Sequence, residues 1–368
     1  MWLRRLSLIN FRNYPQLDLR FSKGINLITG ANAQGKTNLL EAIHFLCTCK
    51  SHRTHLDDEM IRHGEDGFYL KGIFEEEGEP FTIEISTARD GRKRAKLDGK
   101  PVQKLSEIIG TAKAVIFSSE SMEIVKGPPS ERRKFMDVFI SQMDKVYLYD
   151  LQSYQSALRQ RNELLRQIRE GEASEELLEV WDEQIAHYGS RIVRRRIEAV
   201  EKLASFAVGI YEELAGDPTL RISYLVNGEG PQTVNSSASL SDLLLKFREI
   251  DISRGSTSVG PHRDDLSISL GGADARRFCS QGQQRLIALS LKLAELEMMT
   301  VECGVRPILL LDDAASELDR ERRGMLKRVL SGLKNTQIFI TATHPDEIEL
   351  EGEAALFEVE GGQVRWIG

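Results

Sequence analysis

Cysteine is scarce in this chain: four residues, Cys47, Cys49, Cys279 and Cys303, in a length of 368. So few, so far apart, exclude the disulfide framework that staples small secreted domains. Cys47 and Cys49 continue the apolar face of "LLEAIHFLC", and no Cys or His pair stands at zinc spacing from them. Both therefore read as buried thiols in a reducing compartment. Long apolar runs are also missing, and nothing approaches the ~20 residues of a bilayer-crossing helix. The opening "MWLRRLSLINFRNY" carries neither the apolar core nor the small-residue cleavage site of a signal peptide. A cytoplasmic protein with no membrane partner is expected. Internal repeats and low-complexity tracts are absent too, which sets aside solenoids and disordered linkers. Finally, there is no positive excess. A formal charge of −7 argues against coating of nucleic acid by the whole surface. Screening over ~10 Å still leaves local basic patches free to act on their own.

What remains is the composition of an ordinary globular protein, 41% hydrophobic and 29% charged, long enough for one large domain or two of usual size. The N-terminal part alternates as β. "LRRLSLINF" and "QLDLRF" lead to "INLITG", an almost continuous apolar strand, and the helical pattern "KTNLLEAIHFLC" follows a loop of small residues. Phe68 to Leu97 reads as short antiparallel strands and "KAVIFSS" as another apolar strand. Pro128 and Pro129 end that element, with Ser130 as the expected cap of a helix just after it. Apolar residues at spacings of three and four follow: Phe135, Val138, Phe139, Met143 and Val146, then Leu178, Trp181, Ile185 and Ile192. They predict two helical blocks hinged at "QIREGEAS". After a strand "LRISYLV" and a Ser-rich stretch, the last third is α/β again. It comprises "DDLSISL", a helix over "SQGQQRLIALSLKLAELEMM", the strand Pro307–Asp313, a helix, "TQIFITAT" and a terminal hairpin. The expected organisation is an α/β head, residues 1–128 and 255–368, interrupted by a mostly helical insertion, residues 129–254.

Gly30-Ala31-Asn32-Ala33-Gln34-Gly35-Lys36-Thr37 satisfies the P-loop pattern G-x-x-x-x-G-K-[ST]. Backbone N–H groups that wrap a phosphate chain need glycine where a side chain would block the approach or φ is positive. The helix from Lys36 aims its positive end at the β-phosphate. Lys36 reaches the β- and γ-phosphates, and the Thr37 hydroxyl holds Mg2+. A second constellation, "ILLLDDAASELD", ends a buried strand on two carboxylates. Asp312 suits the acid that holds Mg2+, and Asp313 the base that orients or deprotonates an attacking water. Third, Ser280, Gly282 and Gln283 open a long amphipathic helix in "FCSQGQQRLIALSLKLAE"; alone they read as a simple N-cap.

P-loop, serine-glycine signature, double-acid strand and "SELD", in this order, resemble the layout of the ABC-type ATPases, with Ser316–Asp319 as their D-loop. More closely, the chain resembles the RecF family of ABC-type, SMC-like ATPase heads. The likeness is carried by "NFRNY" (Asn10–Tyr14), the P-loop with "NLLEAI", "SHRT" (Ser51–Thr54), "KGPPSERRKFMD" (Lys126–Asp137), "GPHRDDL" (Gly260–Leu266), "SQGQQR" (Ser280–Arg285) and "LLLDDAASELD". The insertion is far too short for the long coiled coil of SMC proteins. The resemblance implies a cytoplasmic ATPase of DNA replication and repair, tied to the SOS response, whose copies dimerise head to head around ATP and Mg2+. Ser280, Gly282 and Gln283 would reach the γ-phosphate from the partner copy. Arg12 and Arg53 would lie near nucleotide or DNA, and His344 would be the switch histidine after the last strand. The implied partners are single-stranded, gapped or duplex DNA, bound without sequence preference at gaps or junctions to help load recombinase, and mediators of the RecO and RecR type. The sequence departs from the ABC pattern twice. Asp313 is a methylene shorter than the usual glutamate, which predicts slow turnover, and "FSSES" offers Ser119 or Glu120 where a Q-loop glutamine belongs.

The residues themselves leave alternatives open. Arg12 and Arg53 also read as surface arginines with solvated ends, His344 as a turn histidine before Pro345, and "HRDD" (His262–Asp265) as a turn rather than a metal site. The basic clusters Arg89–Lys100, Arg132–Lys134 and Arg191–Arg196 offer phosphate contacts that position without reading sequence, or plain solvated faces. No aromatics interleave with them to suggest a stacking platform for single strands. A transporter-coupled ATPase subunit and a P-loop kinase are the other readings. The helical insertion and missing glutamine speak against the first; the paired acids favour water over another phosphate acceptor.

Overall fold

The computed structural model describes residues 1–227, 239–314, 320–347 and 354–368, so the D-loop reading at Ser316–Asp319 lies outside it, as does part of the Ser-rich stretch. The chain divides into two compact units: residues 1–122 with 209–218 and 280–368, and residues 123–208 with 219–279. Elements are numbered in chain order.

The first unit holds two six-stranded sheets. One is antiparallel, in the order β2 (Tyr14–Arg20), β1 (Trp2–Phe11), β4 (Gly67–Glu76), β5 (Glu79–Ala88), β6 (Lys93–Leu97), β7 (Lys100–Pro101). Burial alternates along β4, the mark of a sheet with one face on the core. The other runs β15 (Gln363–Trp366), β14 (Ala354–Glu360), β3 (Ile25–Thr29), β13 (Ile338–Ala342), β12 (Ile308–Leu311), β8 (Ala114–Phe117), parallel except for β15. Strands β8, β12 and β13 are buried at every residue, as strands covered on both faces must be. The expected terminal hairpin is present, yet its first arm, β14, is also a full member of this sheet beside β3. Helix α1 (Lys36–Thr48) touches strands of both sheets, and every residue from Leu39 to Thr48 is buried. Leu39, Leu40, Ile43, Phe45 and Leu46, each fully buried, contribute ~1.5–3 kcal/mol apiece. The P-loop helix is thereby anchored in the core. Helices α9 (Gln281–Cys303) and α10 (Arg320–Gly332) complete the unit with the last turns of α5 (Leu178–Ala215).

The second unit contains α2 (Glu123–Lys126), α3 (Pro129–Met143), α4 (Lys145–Glu170), most of α5, α6 (Leu240–Lys246), α7 (Arg248–Arg254) and α8 (Ala275–Phe278). They accompany a small sheet, β11 (Ala273–Asp274), β10 (Asp265–Leu270), β9 (Leu220–Leu225). Helices α4 and α5 flank the expected hinge. Asp144 caps α4 by accepting from Val146 N at 2.8 Å and Tyr147 N at 3.0 Å, and Gly171, at φ 79°, ends it. Ser130 does not cap α3. Pro128 takes that place and Pro129 opens the first turn, where a missing N–H costs nothing. The unit boundaries also differ from 128/129 and 254/255. "DDLSISL", read as part of the head, pairs as β10 with β9 from Leu270↔Leu220 to Asp265↔Leu225. Its Asp265 also takes both Nε (2.6 Å) and Nη2 (2.9 Å) of Arg132 on α3.

Buried charge ties this unit together. Arg196, 2% exposed, donates to Asp137 at 2.7 Å, Tyr147 Oη at 2.9 Å and Pro261 O at 2.7 Å. Arg161, fully buried, lies between Asp182 (2.6 Å), Asp251 (2.7 Å) and Thr257 (2.9 Å). Arg132 and Arg196 thus drop out of the basic clusters expected to meet phosphate, because acids from other elements claim them. "HRDD" is part of the same lattice: Tyr224 Oη and Asn227 N donate to Asp264, and Arg133 to its carbonyl. Tyr154 Oη lies 2.5 Å from His262 Nδ1, whose Nε2 is 3.0 Å from Thr257 O.

Burial pushes the His262 pKa down from 6.5 to about 4, against the opposing pull of the Thr257 carbonyl. Below 6.5 the unfolded chain takes up this proton and the folded one does not. The associated stability, ~3 kcal/mol, is present above that pH and lost as pH falls toward 4. In urea titrations the midpoint should therefore fall more steeply between these pH values for the parent than for His262→Gln. Parallel profiles would refute the assignment.

Candidate functional site

The strands β3, β13, β12 and β8 run in register, with Thr29 beside Ala342, and Leu311 beside Ile340 and Phe117. Their carboxyl ends deliver the P-loop, Thr343–His344, Asp312–Asp313 and Ser118–Glu120 to one edge. That edge is where open parallel sheets bind their ligands.

Three positive φ angles, Gly30 at 146°, Ala33 at 65° and Gly35 at 119°, bend the P-loop. A Cβ at Gly30 would stand 2.3 Å from Val359 O, and one at Gly35 2.6 Å from Asn13 Nδ2 and 2.8 Å from Tyr14 Oη. Asn13 and Tyr14 also hold the loop, Asn13 Nδ2 donating to Gln34 O (2.8 Å) and Tyr14 Oη to Gly35 O (2.9 Å), and Gly361 N donates to Gln34 Oε1 (2.7 Å). Ala31, Asn32 and Ala33 are exposed. Lys36 Nζ donates to Gly30 O at 2.6 Å and Ala31 O at 3.0 Å, so its ammonium lies over the loop. "NFRNY" contained the signal for Asn13 and Tyr14; nothing in the sequence pointed to Gly361.

Asp312 is 8% exposed and accepts from the Thr341 hydroxyl at 2.7 Å, with the Thr37 hydroxyl nearby also favouring its charged form. Burial pushes its carboxyl up, and the charges of Glu120 and Asp313 push the same way. A hydroxyl near a carboxylate is the hard-oxygen pair that Mg2+ takes alongside phosphate and water. Asp313 follows in the left-handed region at φ 53°, with its side chain exposed. Its N–H donates to Thr341 Oγ1 (2.9 Å) and its carbonyl accepts from Arg285 Nη2 (2.7 Å). A non-glycine residue held this way stores local strain, a habit of functional turns. Arg285, the last residue of "SQGQQR", lies over the Phe117 ring at 5.7 Å. Sequence reading missed both Thr341 and Arg285.

Ser280 is the N-cap of α9. Its Oγ accepts from Gln283 N at 3.3 Å, and Gln283 Oε1 accepts from Ser280 N at 2.9 Å, a reciprocal capping box. Ser280 is exposed, and Gly282 is approached by Arg322 Nη1, 3.1 Å from where a Cβ would sit. His344 is exposed in the bend after β13.

Arg12 is not a surface arginine with a solvated end, and Arg53, although exposed, is engaged as well. Both converge on Glu41 of α1, which is fully buried. Arg12 donates from Nε (2.8 Å) and Nη2 (2.7 Å), Ser51 Oγ at 2.5 Å, and Arg53 Nη1 more loosely at 3.5 Å. Arg53 also reaches Asn38 Oδ1 at 2.8 Å and stands 3.9 Å from Glu120. A carboxylate on the apolar face of "NLLEAI" was the available signal, since a buried charge requires partners.

The family model described as the RecF/RecN/SMC N terminal domain matches residues 2–361. The DNA replication and repair protein RecF of Clostridium tetani is 39% identical over 368 residues, 99% of each chain. That of Symbiobacterium thermophilum is 40% identical over 378 aligned positions, covering 99% of this chain and 98% of its own. A solved structure of the recombination mediator protein RecF with ATP in the RecFOR pathway superposes with a TM-score of 0.91 at 39% identity, covering 100% of this chain and 98% of that one. An Smc head bound to the C-terminal winged-helix domain of ScpA shares only the fold, with a TM-score of 0.57 at 16% identity. By motif order, full-length likeness and superposition, the chain belongs to the RecF family of SMC-type ATPase heads.

Proposed function

We propose that this chain is an ATP-driven DNA clamp of replication and repair, working in the cytoplasm with mediators of the RecO and RecR type. The observation that supports it best is the cluster at the strand ends: a P-loop with no room for side chains at Gly30 and Gly35, Thr37 near Asp312, and Asp313 held in a strained turn. The N–H groups of Gly30 to Thr37 and the positive end of α1 bind the phosphates, with Lys36 at the β- and γ-positions. Thr37 and Asp312 hold Mg2+, which neutralises phosphate charge. Asp313 orients the attacking water.

Ser280, Gly282 and Gln283 of one copy complete the site of a second copy, and His344 faces the γ-phosphate. Closure of the pair grips DNA at gaps or single-strand/duplex junctions, and hydrolysis releases it. The short reach of Asp313 keeps turnover below about 10 s−1, an ordinary enzyme value. Lys36→Met and Ser280→Arg chains, each inactive alone, test the shared site. Mixed in equal amounts they should recover about a quarter of the parent ATPase rate, since half the random dimers carry one intact site of two. No recovery, in chains that still fold, would count against the composite pocket.

A further inference from the structure

The hairpin of α4 and α5 brings together residues that lie far apart in the sequence. Tyr149 on α4 is 60% exposed, and its ring centroid lies 6.2 Å from that of Tyr188 on α5, at an interplanar angle of 75°. The His187 ring lies 5.0 Å from the Tyr188 ring. Helical spacing continues this face into the basic cluster, with Arg191 and Arg195 three and seven residues beyond Tyr188. Arg194 is exposed and makes no hydrogen bond or ion pair among the described residues. We infer that this face is a binding site for single-stranded nucleic acid, with Tyr149 and Tyr188 as the stacking platform and Arg191, Arg194 and Arg195 as phosphate contacts.

The chemistry favours this occupant. Tyr149 packs edge-on against Tyr188, and Tyr188 also against His187, so a base stacking on these rings immobilises little that was free. Arg191 pairs with Asp150 at 2.9 Å and Arg195 with Asp144 at 3.3 Å. The arginine side chains are 41% and 49% exposed while the acids are 3% and 23% exposed, so the outward charge is positive. The Arg195 pair, partly exposed on both sides, is weak and exchanges readily for phosphate, while Arg191 keeps its buried partner Asp150 and meets phosphate through its remaining N–H groups. A protein partner would need a contiguous apolar centre, and α4 offers besides Tyr149 a single exposed large apolar side chain, Val146 at 46%, one turn away. A duplex keeps its base faces stacked inside, whereas a single strand offers both a π-face and a phosphate at every step.

The inference rests on the DNA reading above and narrows it to a strand type and a place. Fluorescence anisotropy with a labelled oligothymidine of about 20 nucleotides, beside a duplex of equal length, tests it in the full-length chain. Replacing both tyrosines, Tyr149→Ala with Tyr188→Ala, should weaken single-strand binding about tenfold or more and leave duplex binding within about twofold. The pair Tyr149→Phe with Tyr188→Phe should keep the single-strand affinity. Arg194→Ala should lower the salt slope by about one. Unchanged single-strand affinity in the alanine pair would overturn the site and leave the rings to a protein partner. Equal loss on both DNAs would overturn it as well. A parent chain that binds duplex but not oligothymidine sinks this inference alone, and one that binds neither sinks the DNA reading itself.

Discussion

Gly35→Ala loses nucleotide affinity about 100-fold while the chain stays folded, the scale of effect expected when reacting or binding groups are displaced by about 1 Å. At φ 119° a side chain is strained from the start, and the new Cβ would meet Asn13 Nδ2 at 2.6 Å and Tyr14 Oη at 2.8 Å. These atoms cannot simply swing aside, because each donates to the loop itself, at Gln34 O and Gly35 O. The loop must shift, and its N–H groups move off the phosphates they are meant to meet. The cost to folding is limited to local strain, ~1–3 kcal/mol. Gly24→Ala is the matched control, with nothing within 4 Å of the added methyl and no positive φ. Titration with a fluorescent ATP analogue and urea denaturation separate the two effects. If Gly35→Ala binds the analogue like the control, the packing of Asn13 and Tyr14 against the loop does not govern the site.

The second large effect falls on stability. Arg161→Ala should cost the helical unit ~3–5 kcal/mol, because it strands buried carboxylates that the guanidinium now neutralises. Arg161 and Asp251 are both fully buried, and among the described residues Asp251 keeps the N–H and hydroxyl of Ser258 once the arginine is gone. Asp182 fares better, since Arg248 still donates to it at 2.8 Å. Adding Asp251→Asn to the variant should therefore recover part of the loss. Arg159→Ala, two residues away and exposed, should change stability by no more than ~0.5 kcal/mol. A urea midpoint for Arg161→Ala equal to that of Arg159→Ala would show that water, not protein, sets the cost.

Neither Arg161 nor Arg196 could be singled out from the sequence. Each is one arginine among several on a charged helix, and which of them turns inward depends on acids from α5, α7 or α3. The same holds for the boundaries of the helical unit. The pattern of "DDLSISL" says strand and nothing about its neighbour, and only pairing with β9 assigned it to the second unit. Glu41 is the converse case. Its presence on an apolar helix face was legible, but its partners, Arg12, Ser51 and Arg53, come from a strand end and a loop that meet only in space.

By itself the sequence determined the P-loop, the strand ending in Asp312 and Asp313, the capped helix at Ser280 and the helical hairpin. Each is a local motif in which residue type and spacing meet a demand made by adjacent backbone. The tertiary structure alone decided that Thr341 holds Asp312 and Asp313 together, that Asn13 and Tyr14 brace the phosphate loop, and that Tyr149 meets Tyr188 beside a row of arginines. Contacts between distant segments are chosen by burial and by the pairing of buried charge, which are properties of the packed whole and leave no periodic trace along the chain.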